Sequence, residues 1–225
     1  MGDFNKAIHY HEERLKIAKE FGDRSAERRA HSNLGNAHIF LGEFEQAAEH
    51  YKMTLLLAQE LGDRAVEAQA CYSLGNTYTL LKDYPTAVEY HLRHLRIAQE
   101  LFDKVRHFSR IILFKTDVKY QVGEGRACWS LGNAHSAMGE TEAAYHYASR
   151  HLEIAKETGD RMGQATAQVN LSELAKTLGY TEGVVPPGKV MESPETRAKR
   201  RMSMENMQVC YITQLELIRL LVLMN

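Results

Sequence analysis

A seven-residue pattern centred on Leu-Gly-Asn recurs along the chain and constrains its fold more than any other feature. It reads SNLGNAH at 32–38, YSLGNTY at 72–78 and WSLGNAH at 129–135, with a degenerate copy, VNLSELA, at 169–175. The leading leucines therefore follow one another at intervals of 40, 57 and 40 residues. A repeat of about 40 residues predicts a solenoid, in which each unit buries its apolar face against its neighbour.

A second marker, Gly-Asp-Arg, locates the irregular interval. It occurs at 22–24, 62–64 and 159–161, and Phe-Asp-Lys stands in the equivalent place at 102–104. Together the two markers predict a 17-residue insertion, 105–121, between two repeats. We expect this segment either to loop out or to interrupt the solenoid. It is either a functional loop with its own partner or an insertion without a function, introduced by splicing or by the gene model.

The spacing of apolar residues within each repeat predicts an antiparallel pair of helices, A and B. Glycine after the last apolar residue of most B helices is a C-terminal stop signal. The predicted bounds are 25–41, 65–81, 122–138 and 162–178 for A helices, and 3–21, 43–61, 83–101 and 140–158 for B helices. Leu34-Gly35, Ala47 and Tyr51 stand at the offsets of a tetratricopeptide repeat. The predicted fold class is therefore all-α, a tetratricopeptide-repeat α-solenoid of antiparallel helical hairpins.

The predicted organisation has four parts, with repeats at 1–104 and 122–178 on either side of the insertion. The fourth part, 179–225, holds proline, serine and charge without helical periodicity, which predicts a disordered linker. Its last 17 residues, 209–225, are apolar. This tail is an amphipathic helix, a contact with a membrane surface or an abnormal terminus.

Composition excludes several functional classes. The chain carries 28 Lys and Arg against 29 Asp and Glu, a balance that argues against nucleic-acid binding. Its three cysteines form no Cys-x-x-Cys pair, which favours a reducing compartment. Neither a catalytic motif nor a glycine-rich phosphate loop occurs. The eleven histidines fall in repeat slots that also hold tyrosine, which favours packing over metal binding. We therefore expect no enzyme activity, no cofactor and no metal.

One stripe along the A helices predicts a binding groove, because residues at spacings of three and four share a helix face. Its recurrent asparagine can pair with the backbone of an extended peptide. The guanidinium groups of its arginines would bind carboxylates of the peptide, and its aromatic rings would add contact area with the peptide. Alternatively, the asparagines only brace one hairpin against the next. The candidate groove residues are Arg29, Asn33, Asn36, Gln69, Tyr72, Asn76, Arg126, Trp129 and Asn133. Glu173 replaces asparagine in the fourth copy, so the groove should end or change character near residue 170.

Three runs of sequence resemble the repeats of the LGN/Pins family of G-protein-signalling modulators. They are AERRAHSNLGNAHIFLGEFEQAAEHY at 26–51, AVEAQACYSLGNTYTLLKDY at 65–84 and GEGRACWSLGNAH at 123–135. The resemblance extends over most of 2–104 and 122–178. The segment KRRMSMENM, 199–207, also resembles the linker that follows the repeats of that family.

This resemblance implies a non-enzymatic adaptor linked to spindle orientation and cell polarity. Its groove residues would face extended segments of the NuMA and Inscuteable type. The implied location is the cytoplasm, with the cell cortex and spindle poles. Ser203, when phosphorylated beside Arg200 and Arg201, would be recognised by the guanylate-kinase-like domain of Discs-large proteins.

The chain also departs from the pattern of that family. It lacks GoLoco motifs, so we do not expect it to bind Gα subunits through them. It opens at a B helix, and an exposed first helix should favour self-association. Two alternatives to a working adaptor follow from these departures. One is a truncated regulatory fragment that competes with the full-length adaptor, and the other is a non-functional splice product.

Overall fold

The repeats fold into a succession of helices. The computed structural model describes residues 2–109 and 117–180, with side chains at 6–103 and 121–180. The regular elements within these ranges are α1 (Gly2–Glu20), α2 (Arg24–Leu41), α3 (Phe44–Glu60), α4 (Arg64–Leu80), α5 (Tyr84–Ser109), α6 (Asp117–Ala137), α7 (Thr141–Thr158) and α8 (Arg161–Thr177). The all-α prediction is confirmed, and six helices begin and end within one residue of their predicted bounds. None of the described helices is long and apolar enough to cross a membrane.

Each helix packs against the next one along the chain. This produces three hairpins, which we call the first (α2–α3), the second (α4–α5) and the third (α6–α7). The B-type helix α1 precedes them and the A-type helix α8 follows them. The A helices α4 and α6 also contact each other directly, so residues on neighbouring A helices can form one continuous surface.

The Gly-Asp-Arg marker forms the turn that joins a B helix to the following A helix. Gly62 has a φ of 67°, a left-handed conformation that a side chain would disfavour. The Asp63 carboxylate then accepts a hydrogen bond of 3.1 Å from the backbone N–H of Val66, which caps α4. Glycine therefore ends one helix, and aspartate begins the next.

Phe102 explains why α5 is longer than predicted. It replaces the glycine that ends the other B helices, and α5 continues to Ser109. Within the predicted insertion, α6 already begins at Asp117, while 110–116 lie outside the described residues. The helices α5 and α6 still pack against each other, and Gln99 donates a 3.3 Å hydrogen bond to Glu124.

A buried glutamate joins the hairpins to one another. Glu67 of α4 is 4% exposed, and it accepts hydrogen bonds from Gln59 of the first hairpin, Arg64 of its own helix and Arg93 of α5. Burial by itself would raise the pKa of Glu67, but the hydrogen bonds from Arg93, Arg64 and Gln59 outweigh it and lower that pKa. The equivalent Glu124 of α6 is buried in the same way.

The Leu-Gly pair sets how closely the helices of a hairpin approach. Leu34 and Leu74 are fully buried, and the glycine after each faces a ring of the B helix. A Cβ at Gly35 would lie 2.6 Å from Cε1 of Tyr51. A Cβ at Gly75 would overlap the imidazole of His91. Glycine is required here because the ring occupies the space of a side chain.

The third hairpin differs at this contact. Ala148 stands where the other two hairpins carry the ring, although Gly132 is kept opposite it. A Cβ at Gly132 would lie 3.5 Å from the carbonyl oxygen of Ala144, 3.6 Å from the backbone nitrogen of Ala148 and 3.8 Å from Cβ of Tyr147, all ordinary van der Waals distances. Gly132 therefore has room for a methyl group, whereas Gly35 and Gly75 do not.

We predict that alanine at these glycines will have opposite effects. Gly35→Ala and Gly75→Ala should each lower the free energy of unfolding by about 1–3 kcal/mol, because the added methyl group displaces a buried ring. Gly132→Ala should raise it by up to about 1 kcal/mol, because alanine is the better helix former. Urea unfolding followed by circular dichroism measures all three. A loss at Gly132→Ala as large as at Gly35→Ala would contradict the difference in packing.

The second hairpin buries a pair of histidines. His91 is 1% exposed, and neither of its ring nitrogens has a hydrogen-bond partner among the described residues. The ring of His94 lies 5.3 Å from that of Tyr72. Burial, reinforced by His94, lowers the pKa of His91 to about 4. Burial and the charge of Arg126 lower the pKa of His94 to about 4 as well.

We predict that the chain loses stability as the pH falls below the ordinary histidine pKa of about 6.5. The unfolded state then takes up protons that the buried His91 and His94 of the folded state do not. Their contribution to the free energy of unfolding is therefore complete above pH 6.5 and is lost as the pH falls toward 4. Each unit by which a pKa is lowered corresponds to roughly 1.4 kcal/mol. His91→Tyr should make the free energy of unfolding less dependent on pH, because tyrosine does not titrate in this range. The ring should be tolerated, since Tyr51 fills the same slot in the first hairpin.

Thermal melts between pH 8 and roughly pH 4 measure this effect. The control is His146→Tyr, which changes an exposed imidazole on α7. If both variants keep the slope of the unmodified chain, His91 is not its source.

Candidate peptide-binding groove

The nine candidate groove residues lie on the A helices of the three hairpins, and none of them is buried. Arg29, Asn36, Gln69, Arg126 and Trp129 are exposed, while Asn33, Tyr72, Asn76 and Asn133 are half-buried. The buried residues of the same helices occupy other positions, such as Leu34, Leu74 and Leu131. The stripe is therefore a surface, and the buried stripe of each A helix supplies the core.

The recurrent asparagines differ in their hydrogen bonds. The side-chain oxygen of Asn36 accepts a 2.7 Å hydrogen bond from the hydroxyl of Tyr51, so this residue braces its own hairpin. The amides of Asn76 and Asn133 have no hydrogen-bond partner in the described part of the chain. The B helices facing them carry His91 and Ala148 instead of tyrosine. Two amides of the stripe are thus available to a ligand.

The arginines of the stripe also differ from the arginines that form ion pairs within the fold. Arg28 pairs with Asp63 at 3.2 Å, and Arg64 and Arg93 pair with Glu67. Arg29 and Arg126 are exposed and form no ion pair within the described ranges. Their guanidinium groups can therefore bind an external carboxylate.

The two aromatic residues occupy one equivalent slot but have different surroundings. Tyr72 covers the buried histidines of the second hairpin, with its ring 5.3 Å from that of His94. Trp129 remains 40% exposed on α6 and lines an open cavity. Tyr72 is therefore largely a packing residue, whereas Trp129 offers a ring face to solvent.

This cavity, which we call the third-hairpin cavity, lies between α6 and α8 with α7 beneath. Its volume is about 210 Å³, below the roughly 300–1,000 Å³ of small-molecule sites and closer to a single side chain. It exists because Ala148 leaves the space that a ring fills in the first two hairpins. The lining residues are Trp129, Gly132, Asn133, Ser136, Ala148, His151, Asn170, Glu173, Leu174 and Thr177.

Most of these lining residues are absent from the groove residues that the sequence pattern indicates. Only Trp129 and Asn133 belong to both sets. Glu173 of α8 was missed as a ligand contact because it replaces the recurrent asparagine. Asn170 stands in the slot of Asn33, but it was missed because the copy of the pattern around it is degenerate. The signal that could have found them is Ala148, since a small residue in the slot of Tyr51 predicts a gap beside it.

The described residues show no arrangement suited to nucleophilic or metal chemistry. Burial raises the pKa of the Cys71 thiol to about 11 and that of the Cys128 thiol to about 12, so both are protonated and unreactive near neutral pH. No group of three or more histidine, cysteine, aspartate or glutamate side chains within these residues could hold a metal ion. Ser203, the linker and the apolar tail at 209–225 lie outside the described residues.

Comparison with known proteins bears on the fold. The family model described as tetratricopeptide repeat matches residues 1–60 and 27–100. No match was found among proteins with curated descriptions.

Two solved structures are similar over most of the chain. The crystal structure of BtubC (BKLC) from P. vanneervenii has a TM-score of 0.64 and 20% identity, covering 80% of this chain and 68% of that one. A putative kinesin light chain from Podosopora anserina, with nearly identical TPR-like repeats, has a TM-score of 0.56 and 14% identity, covering 92% and 90%. At these identities the likeness shows the fold alone. The tetratricopeptide-repeat model therefore matches residues 1–100, and the described helices beyond them continue the same all-α solenoid.

Proposed function

We propose that the chain is a non-enzymatic adaptor that binds an extended, partly acidic segment of another protein along its A helices. The observation that carries this proposal is one stripe on which Asn76 and Asn133 have no hydrogen-bond partner, and Arg29 and Arg126 no ion pair, among the described residues. Tetratricopeptide repeats generally mediate protein–protein contacts, which supports a binding role for this surface.

The chemistry of the stripe favours an extended segment over a folded partner surface. An amide side chain carries both a donor and an acceptor, so it can pair with a peptide backbone of any sequence. Asn76 and Asn133 occupy equivalent positions on the A helices of adjacent hairpins. Two such amides can hold a backbone, while Arg29 and Arg126 select acidic side chains along it.

The resemblance to the LGN/Pins family makes the proposal more specific. The partners would be segments of the NuMA and Inscuteable type, and the role would be spindle orientation at the cell cortex and spindle poles. Phosphorylated Ser203 would add recognition by the guanylate-kinase-like domain of Discs-large proteins. The balance of 28 Lys and Arg against 29 Asp and Glu argues against a nucleic-acid partner.

We predict saturable binding of a fluorescently labelled NuMA C-terminal peptide to the purified chain. Asn76→Ala should weaken binding about two- to tenfold, the usual contribution of a neutral hydrogen bond. Arg126→Ala should weaken it about tenfold or more, because its hydrogen bonds would be charge-assisted. Fluorescence polarisation measures the three affinities.

The matched controls are Gln46→Ala and Arg96→Ala, which change exposed residues of the B helices α3 and α5. Both should bind like the unmodified chain. Equal losses in the control and groove variants would show that binding occurs elsewhere. An unmodified chain with normal helical circular dichroism and no saturable binding would contradict the proposed partner class.

A further inference from the structure

We propose that the third-hairpin cavity is a specificity subsite that takes an arginine side chain of the bound peptide. This inference rests on the proposed function, since the cavity adjoins the stripe at Trp129 and Asn133. It adds a positively charged position to a ligand otherwise expected to carry acidic residues.

The cavity is a consequence of one substitution between repeats. Tyr51 and His91 fill the slot opposite the Leu-Gly pair in the first two hairpins, and Ala148 leaves it empty in the third. Because Gly132 is retained, the opposite wall does not close the gap. The space that remains, about 210 Å³, is lined on both sides by A helices that face the proposed peptide.

The charge of the lining favours a cation. Glu173 is exposed on α8, and its carboxylate forms no ion pair among the described residues. Among the described residues that line the cavity, His151 is the one basic side chain, and burial lowers its pKa below the ordinary value. Arg150, on the same helix as His151, is already paired with Glu124 and Glu153. A cation that enters therefore meets a carboxylate that has no ion-pair partner among the described residues.

The remaining lining favours an arginine over a compact cation or an apolar side chain. Trp129 is 40% exposed, so a planar guanidinium can stack on its indole. The amide oxygens of Asn133 and Asn170 can accept hydrogen bonds from the same group. A leucine would leave these polar groups without partners, and a glutamate would be repelled by Glu173.

The single tryptophan of the chain reports on this site directly. The probes are acetyl-Gly-Gly-Arg-Gly-Gly-amide and the same peptide with citrulline, which has the shape of arginine without its charge. We expect the arginine peptide to change Trp129 fluorescence saturably, with an affinity about fivefold higher than that of the citrulline peptide. The titration extends to about 10 mM, where a millimolar complex approaches saturation.

Two variants test the assignment. Glu173→Gln should remove the preference for arginine over citrulline. Ala148→Tyr should abolish the response, because the new ring would fill the cavity opposite Gly132 as Tyr51 does opposite Gly35. The matched control, Glu142→Gln, changes an exposed glutamate of α7 and should behave like the unmodified chain. If Ala148→Tyr does not fold, Glu173→Gln decides alone.

The proposal is overturned if both peptides respond equally, if neither gives a saturable change, or if Glu173→Gln keeps the arginine preference. These results are separable from a failure of the proposed function. Binding of the NuMA peptide without an arginine response leaves the adaptor role standing and removes the subsite. A charge-dependent arginine response without NuMA binding supports the subsite and removes the named partner class.

Discussion

The contact between a Leu-Gly pair and a ring on the partner helix is the constraint on which each hairpin depends. Leucine fills the core, while glycine lets the ring of Tyr51 or His91 lie against the backbone of the A helix. Close packing of this kind fixes the separation of the two helices, because neither partner can grow without displacing the other. The stripe of polar residues keeps its orientation toward solvent because the opposite face of the same helix is held in this way.

The same contact explains how a repetitive scaffold acquires a distinct site. The hydroxyl of Tyr51 donates a hydrogen bond to the oxygen of Asn36, whereas His91 and Ala148 leave Asn76 and Asn133 without a hydrogen-bond partner in the described ranges. Ala148 goes further and opens the cavity beneath Trp129. Substitutions in one core slot therefore decide which equivalent surface residues are available to a ligand.

The connections between hairpins depend on other contacts. The turn at Gly62 and Asp63 ends one helix and caps the next, while Glu67 collects hydrogen bonds from two hairpins. Where Phe102 replaces the glycine, the B helix continues, yet α5 and α6 still pack together. Helix packing thus survives a changed connection, because it depends on the buried faces more than on the loop.

The sequence by itself determined the periodicity, the helix bounds away from the insertion, and the stripe of Asn76, Arg126 and Trp129. These are local properties, because spacing along a helix decides which residues share a face. It did not determine that Asn36 is engaged, that α5 runs to Ser109, or that Glu173 joins Trp129 around one cavity. Those features depend on which side chains meet across helices, and only tertiary packing brings residues from different repeats together.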